Sequence, residues 1–152
     1  MKIWIDADAC PGAVRDIVVK AAVRRLIEAI FVANKQLGLP TSPYLSFVQV
    51  ESAPDAADNY IREHAQKLDL VVTQDILLAQ VLIPLDVVVI DPRGKKYSED
   101  NIGERVSIRN LLQERRDSGE ITGGPKPFGI KGKQAFASTF DQELTRLLRI
   151  IT

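Results

Sequence analysis

Residues 70–91 read LVVTQDILLAQVLIPLDVVVID, and this stretch decides the fold. Residues 70–73 are a short β-branched run, residues 76–83 an apolar segment of helical length, and residues 87–90 a second β-branched run. Both runs are apolar throughout, as strands covered on both faces are. A strand, a helix and a second strand in so few residues form a crossover, which makes the two strands parallel. Upstream, residues 2–6 predict a buried strand and residues 11–28 a helix, with Pro11 at its first turn and Val14, Ile17, Val18, Ala21, Ala22 and Leu26 at helical spacing. Residues 29–33 predict a second strand, 34–43 a turn-rich loop, 44–50 a third strand and 54–68 a helix. After Asp91 no further strand is expected. Ser98 caps a helix to about Val106, Ser107 restarts one to about Asp117, residues 121–133 read as a loop, and residues 134–150 as a closing amphipathic helix. The expectation is one α/β domain over residues 1–152, a mostly parallel sheet flanked by helices, with helices at the C-terminus.

Composition supports this. A chain of 152 residues with 45% hydrophobic and 26% charged residues has the size and content of one globular domain. No run approaches the roughly 18 apolar residues of a membrane span. The start meets Asp6 before a secretory apolar segment could form. The lone Cys10 excludes an internal disulfide and suits a reducing compartment, so a soluble, cytoplasmic protein is expected. Zero net charge hides a split. Residues 1–92 carry 12 Asp+Glu against 8 Lys+Arg, and residues 93–152 carry 8 against 12. An acidic half that does chemistry and a basic half that meets a polyanion would divide this way, as would two halves that attract each other.

The acids fall at informative places. Asp6 and Asp8 end the first strand, Asp75 follows the fourth, Asp91 ends the fifth, and Asp55 and Asp58 open the second helix. Ligands of open α/β sheets bind beyond the carboxyl ends of the strands, so these acids converge. Gathered carboxylates repel and raise one another's pKa unless a cation offsets them. Hard oxygen donors suit Mg²⁺ or Mn²⁺, and one Cys with one His cannot make a closed zinc site. Plainer roles compete: Asp55 as a helix cap, Asp58 as an i,i+4 partner of Arg62, and Asp91 as a turn former in Asp91-Pro92-Arg93-Gly94. For Asp6 and Asp8 the plain role is weaker, because two acids beside a buried strand cost energy without a partner.

The acidic frame Asp6-x-Asp8, Ala57-Asp58 and Thr73-x-Asp75 resembles that of PIN-like nuclease domains. More closely, the segments IWIDADACP, FVAN, ADNYI, DLVVTQD, DPRG and GGPKPF resemble the bacterial YaiI/YqxD family across most of the chain. The PIN-like resemblance implies metal-ligand or near-ligand roles for Asp6, Asp58 and Asp75, with Asp8 an additional acid and Thr73 the small hydroxyl preceding the last. It also implies a fourth acid just beyond Asp75. Residues 76–85 hold none, so Asp8 or Asp91 would substitute. The activity implied is metal-assisted phosphodiester hydrolysis on RNA or DNA. Arg93 and Lys126 are the candidate phosphate contacts, Asn34 a candidate hydrogen-bond donor to substrate or carboxylate, and Lys131 and Lys133 solvated surface.

Two rival readings fit the same residues. A haloacid-dehalogenase-like phosphatase also opens with Asp-x-Asp after an apolar strand, with Asp6 as nucleophile and Asp8 as general acid/base. A module that binds metal or RNA without cutting would need the same acids. Cys10 and Trp4 read as packing residues, and His64 as a partly buried helix residue.

Overall fold

The computed structural model describes residues 1–119 and 128–152. Six strands form one sheet: β1 (Ile3–Asp6), β2 (Ala29–Ala33), β3 (Leu45–Gln49), β4 (Leu70–Val72), β5 (Val88–Ile90) and β6 (Lys96–Tyr97). Their order is β3-β2-β1-β4-β5-β6. All neighbouring pairs are parallel except β5 with β6. The expected α/β fold with a mostly parallel sheet is therefore the observed one. The chain winds outward from β1 to β3, then crosses back to β4 on the other side of β1. The gap between the carboxyl ends of β1 and β4 is thus the switch point where such sheets bind ligands.

Five helices cover the sheet: α1 (Gly12–Arg25), α2 (Ala56–His64), α3 (Ile76–Leu82), α4 (Glu99–Asp117) and α5 (Ile130–Ile151). Successive strand residues point to opposite faces. Ile3 and Ile5 pack with Val14 and Val18 of α1 and with Phe136, Phe140 and Leu144 of α5. Trp4, between them, joins Ile61 of α2 and Leu78 and Leu82 of α3 on the other face. Burial on both faces explains why these strands are apolar at every position.

The sequence expectation differs at five places. Helix α1 stops at Arg25 rather than near residue 28, and Leu26, expected on its apolar face, takes a left-handed φ of 59° and is exposed. Helix α2 stops at His64 rather than near Leu68. Residues 66–69 instead form a turn in which the Asp69 carboxylate accepts from the Gln66 N–H and Leu68 takes a left-handed φ of 69°. Helix α4 is continuous, because its first turn is fixed by Asn101 Oδ1 accepting from the Ser98 N–H and nothing interrupts it at Ser107. Helix α5 begins at Ile130, four residues before the expected start. Strand β6 follows Asp91 unannounced; two residues leave no periodicity to read.

Helix α5 is fastened to the β5–β6 turn. Gly94 has φ 88°, and a Cβ there would lie 2.5 Å from the Ala135 backbone, so only glycine lets the turn approach the helix. Thr139 Oγ1 donates to the Gly94 carbonyl at 2.7 Å. Glu143, buried on α5, accepts from Lys96 Nζ at 2.9 Å and from Arg146 Nε at 2.8 Å, and these partners hold its carboxyl below the usual range against the pull of burial. Among the described residues no helix is long and apolar enough to cross a membrane.

Candidate functional site

The carboxyl edge of the sheet carries a cavity of about 730 Å³. Its lining includes Asp6, Asp8, Asn34, Glu51, Asp55, Asp58, Asp75 and Arg109. Three separate chain segments deliver Asp6, Asp8, Asp58 and Asp75. Asp6 ends β1, Asp8 lies in the single 3-10 turn that follows (Ala7–Ala9), Asp58 sits in the first turn of α2, and Asp75 is the N-cap of α3. Residues separated by as much as 69 positions in sequence therefore face one space.

Each of these acids is held. Asp75 Oδ1 accepts from the Leu77 and Leu78 N–H groups at 2.9 and 3.1 Å, as an N-cap acid does. Asp8 Oδ2 accepts from the Asn34 N–H at 2.8 Å, tying the turn after β1 to the end of β2. Asp6 Oδ2 accepts from Thr73 Oγ1 at 3.1 Å, and the same hydroxyl accepts from the Asp75 N–H at 3.0 Å. Gln74 Nε2 donates to the Ala9 carbonyl at 2.8 Å, clasping the β4–α3 loop to the turn beside Asp8.

Charge is crowded here. Burial raises the Asp6 carboxyl above its ordinary value, and Asp75 and Asp8 push it the same way while Thr73 opposes them. Asp58 is pushed up to about 8, first by burial and then by its hydrogen bond and repulsion with Asp75. For Asp75, burial is outweighed by the hydrogen bond with Asp58, the two backbone N–H groups and the Arg109 guanidinium, which together hold it below the usual range. Asp58 and Asp75 are a coupled carboxyl pair, one raised and the other lowered by their contact. The oxygens Asp6 Oδ1, Asp8 Oδ1 and Asp75 Oδ2 carry none of the backbone or Thr73 bonds just described. Among the described residues, no three histidine, cysteine or acidic side chains already stand arranged round one point to hold a metal ion. The donor chemistry of these carboxylates fits a hard divalent cation.

Not every expected residue reaches the cavity. Thr73 is beside it but only 1% exposed, with its hydroxyl engaged on both sides; it positions Asp6 and Asp75 rather than meeting a substrate. Asn34 contributes its backbone N–H to Asp8. Arg93 does not line the cavity: its guanidinium lies over the Phe128 ring, 5.9 Å from the centroid, on the face covered by α5. Lys126 lies outside the described residues. Asp91 is a turn former, its Oδ1 accepting from the Arg93 and Lys95 N–H groups at 2.9 Å, and it cannot serve as a fourth acid of the cavity. Asp55 occupies the N-cap position of α2 but makes no side-chain cap bond, and it faces the cavity instead. Arg62 bonds Asn59 Oδ1, leaving Asp58 to Asp75. Cys10 is packed as expected, its thiol pushed up to about 12, chiefly by burial, and so unreactive. His64 is exposed rather than partly buried, its ring stacked on Tyr60 at 4.0 Å.

The residue that sequence reasoning missed is Arg109. It shares a helix stripe with Ile102, which packs against the core under α3, and with Val106; that 4,3 spacing puts it on the inward face of α4 but does not say that this face reaches the acids.

The chain matches, over residues 4–146, the family described as Uncharacterized BCR, YaiI/YqxD family. A UPF0178 protein of Myxococcus xanthus is 52% identical over 98% of this chain and 97% of its own length. One from Syntrophobacter fumaroxidans is 50% identical over 99% and 98%. One from Trichlorobacter lovleyi is 48% identical over 98% and 97%. No solved structure matches. With the family's profile covering nearly the whole chain and relatives at half identity end to end, the chain belongs to the YaiI/YqxD family.

Proposed function

We propose that the cavity hydrolyses phosphodiester bonds in RNA or DNA, with Mg²⁺ or Mn²⁺ held by Asp6, Asp8, Asp58 and Asp75. The observation that carries the reading is the gathering of these four acids in one cavity at the switch point of the sheet. A bound divalent ion would supply a water of lowered pKa and offset negative charge at the phosphorus. The chain's own part is positional. Thr73 and the Asn34 N–H fix one oxygen each of Asp6 and Asp8, and the N-terminus of α3 fixes Asp75. Among the described residues Arg109 is the cation that lines the cavity, and it would meet a phosphate oxygen. The cavity volume suits a nucleotide-sized group.

The phosphatase reading is weaker. It needs a lysine beside the nucleophile, and among the described residues none lines the cavity. The non-cutting module needs only the acids and remains the contrast for the test.

Melting temperature is measured against Mn²⁺ and Mg²⁺ for wild type and for Asp6→Asn/Asp75→Asn. A ion at about 100 times its dissociation constant should add about 2.7 kcal/mol, absent in the variant. Single-stranded RNA and DNA are then offered with the ion present. Cleavage by wild type, abolished in Asp75→Asn, supports hydrolysis, and metal binding with no cleavage leaves the binding module. No metal response at all rejects the reading. An aspartyl-phosphate or beryllofluoride adduct at Asp6 would support the phosphatase.

A further inference from the structure

A second cavity, of about 330 Å³, lies between α2 and α3, with Asn59 and Arg62 on the α2 side and Val81 on the α3 side. Asp55, Asp58, Asp75 and Leu77 line both this groove and the acid cavity, so the two spaces adjoin across the Asp58–Asp75 pair. Among the described residues each space has one cation. Arg109 lines the acid cavity and not the groove, and Arg62 lines the groove and not the acid cavity. Arg62 is exposed, and its Nη2 donates to Asn59 Oδ1, one turn back, at 2.8 Å. That bond holds the guanidinium beside the groove and uses one of its five N–H groups; the acceptor is a neutral amide, so it cancels none of the charge. Leu77 and Val81, one turn apart on α3, are 39% and 41% exposed and give the groove an apolar wall.

We propose that this groove holds the nucleic-acid strand beyond the bond that is cut. One phosphate meets Arg109, the scissile phosphate lies at the acids, a later phosphate meets Arg62, and a base lies against Leu77 and Val81. The inference rests on the phosphodiester reading of the acid cavity and adds its substrate class, a single strand that runs past the acids instead of ending at them. The carboxylates repel a phosphate chain, so its attraction must come from the bound ion and from the arginine in each space. Cations in both spaces bracket the acids, which suits a strand with phosphates on either side of the cut. The groove's volume suits one nucleotide-sized unit.

Labelled single-stranded circles of RNA and of DNA, with linear strands of the same sequence, test this on the full chain. Binding is followed by fluorescence anisotropy in Ca²⁺, a hard ion of the same charge, and cleavage after Mn²⁺ is supplied. A circle has no end to offer. Circles should bind within about 3-fold of the linear strands and be opened in Mn²⁺. Arg62→Ala should weaken binding of both forms about 10-fold and raise KM by the same factor, with kcat within about 2-fold, and Arg62→Lys should recover part of the loss. A melting temperature of Arg62→Ala that still rises with Mn²⁺ would place that loss in the groove and not in the acids. Linear strands cut while circles are refused would overturn the proposal and leave the phosphodiester reading standing, as would binding indifferent to Arg62→Ala. Circles bound through Arg62 but never cut would support the groove and reject hydrolysis. No binding of either form overturns the proposal.

Discussion

Thr73 holds Asp6: its buried hydroxyl donates to Asp6 Oδ2 at 3.1 Å while receiving the Asp75 N–H at 3.0 Å. One side chain thereby sets the spacing between the end of β1 and the start of α3. Thr73→Val keeps the shape and removes both bonds, leaving a half-buried N–H and carboxylate oxygen without this partner. The expected cost is about 1–3 kcal/mol in urea unfolding, with a weakened Mn²⁺ response. Thr73→Ser should retain most of both. A Thr73→Val protein like wild type beside an impaired Thr73→Ser would show that the methyl group, not the hydroxyl, is what matters.

The Asp58 carboxyl, raised from 3.8 to about 8, gives a pH dependence of definite sign. A group with a higher pKa in the folded chain contributes stability that is full below its unfolded value and lost as pH rises through its folded value. Asp75, lowered, acts oppositely and only in acid. In chelator, therefore, Asp58→Asn, whose amide can still donate to Asp75, should gain on wild type as pH rises from 3.8. The gap in melting temperature should level off above about 8. A gap that stays constant with pH would show that Asp58 is ionised throughout. The carboxyl is partly exposed, so solvent screening keeps the effect modest.

Arg109→Ala should leave stability within about 0.5 kcal/mol, since the side chain is exposed. Its effect should fall on nucleic acid instead. Binding of a fluorescent single-stranded oligonucleotide is expected to weaken about 10-fold, with the slope of log affinity against log salt reduced by about 0.7. Arg109→Lys should recover the salt slope and part of the affinity. An unchanged slope would remove Arg109 from the phosphate path.

The parts of this architecture that the sequence discloses are those governed by local pattern. The β-branched runs of β4 and β5 announce themselves, and so do Asp6, Asp8 and Asp75, because strand ends fix where such acids go. Asp58 is ambiguous in sequence, since Arg62 at i+4 is as near as any partner; only the packing of α2 beside α3 gives it to Asp75. Arg93 follows a strand end as the acids do, but the β5–β6 turn carries it to the other face, over Phe128. Arg109 depends on the angle at which α4 crosses α3, and no local spacing encodes that angle. Glu143 and Asp69 are buried acids: Arg146 at i+3 is a partner for Glu143 that the sequence offers, but Lys96, and the Lys2 N–H and Trp4 indole that meet Asp69, are distant in sequence, so local pattern does not mark their burial.

Asp69 is the clearest case. It is 4% exposed, lies at the end of β4 away from the cavity, and accepts from the Lys2 N–H at 2.9 Å, Trp4 Nε1 at 3.0 Å and the Gln66 N–H at 2.9 Å. One carboxylate thus pins the start of β1, seats the Trp4 indole among the residues under α2 and α3, and closes the turn that ends α2's connection. Asp69→Ala would leave three donors unpaired, two of them partly buried, at an expected cost of about 3–5 kcal/mol in guanidinium unfolding. Asp69→Asn keeps one acceptor oxygen and should cost less. Under conditions where both variants remain folded, their melting temperatures should still rise with Mn²⁺ as the wild type's does, because the acids of the cavity are held from the opposite edge. Loss of that response in the folded Asp69→Asn protein would show that the two ends of β1 and β4 are coupled, and that the cavity depends on the full length of both strands.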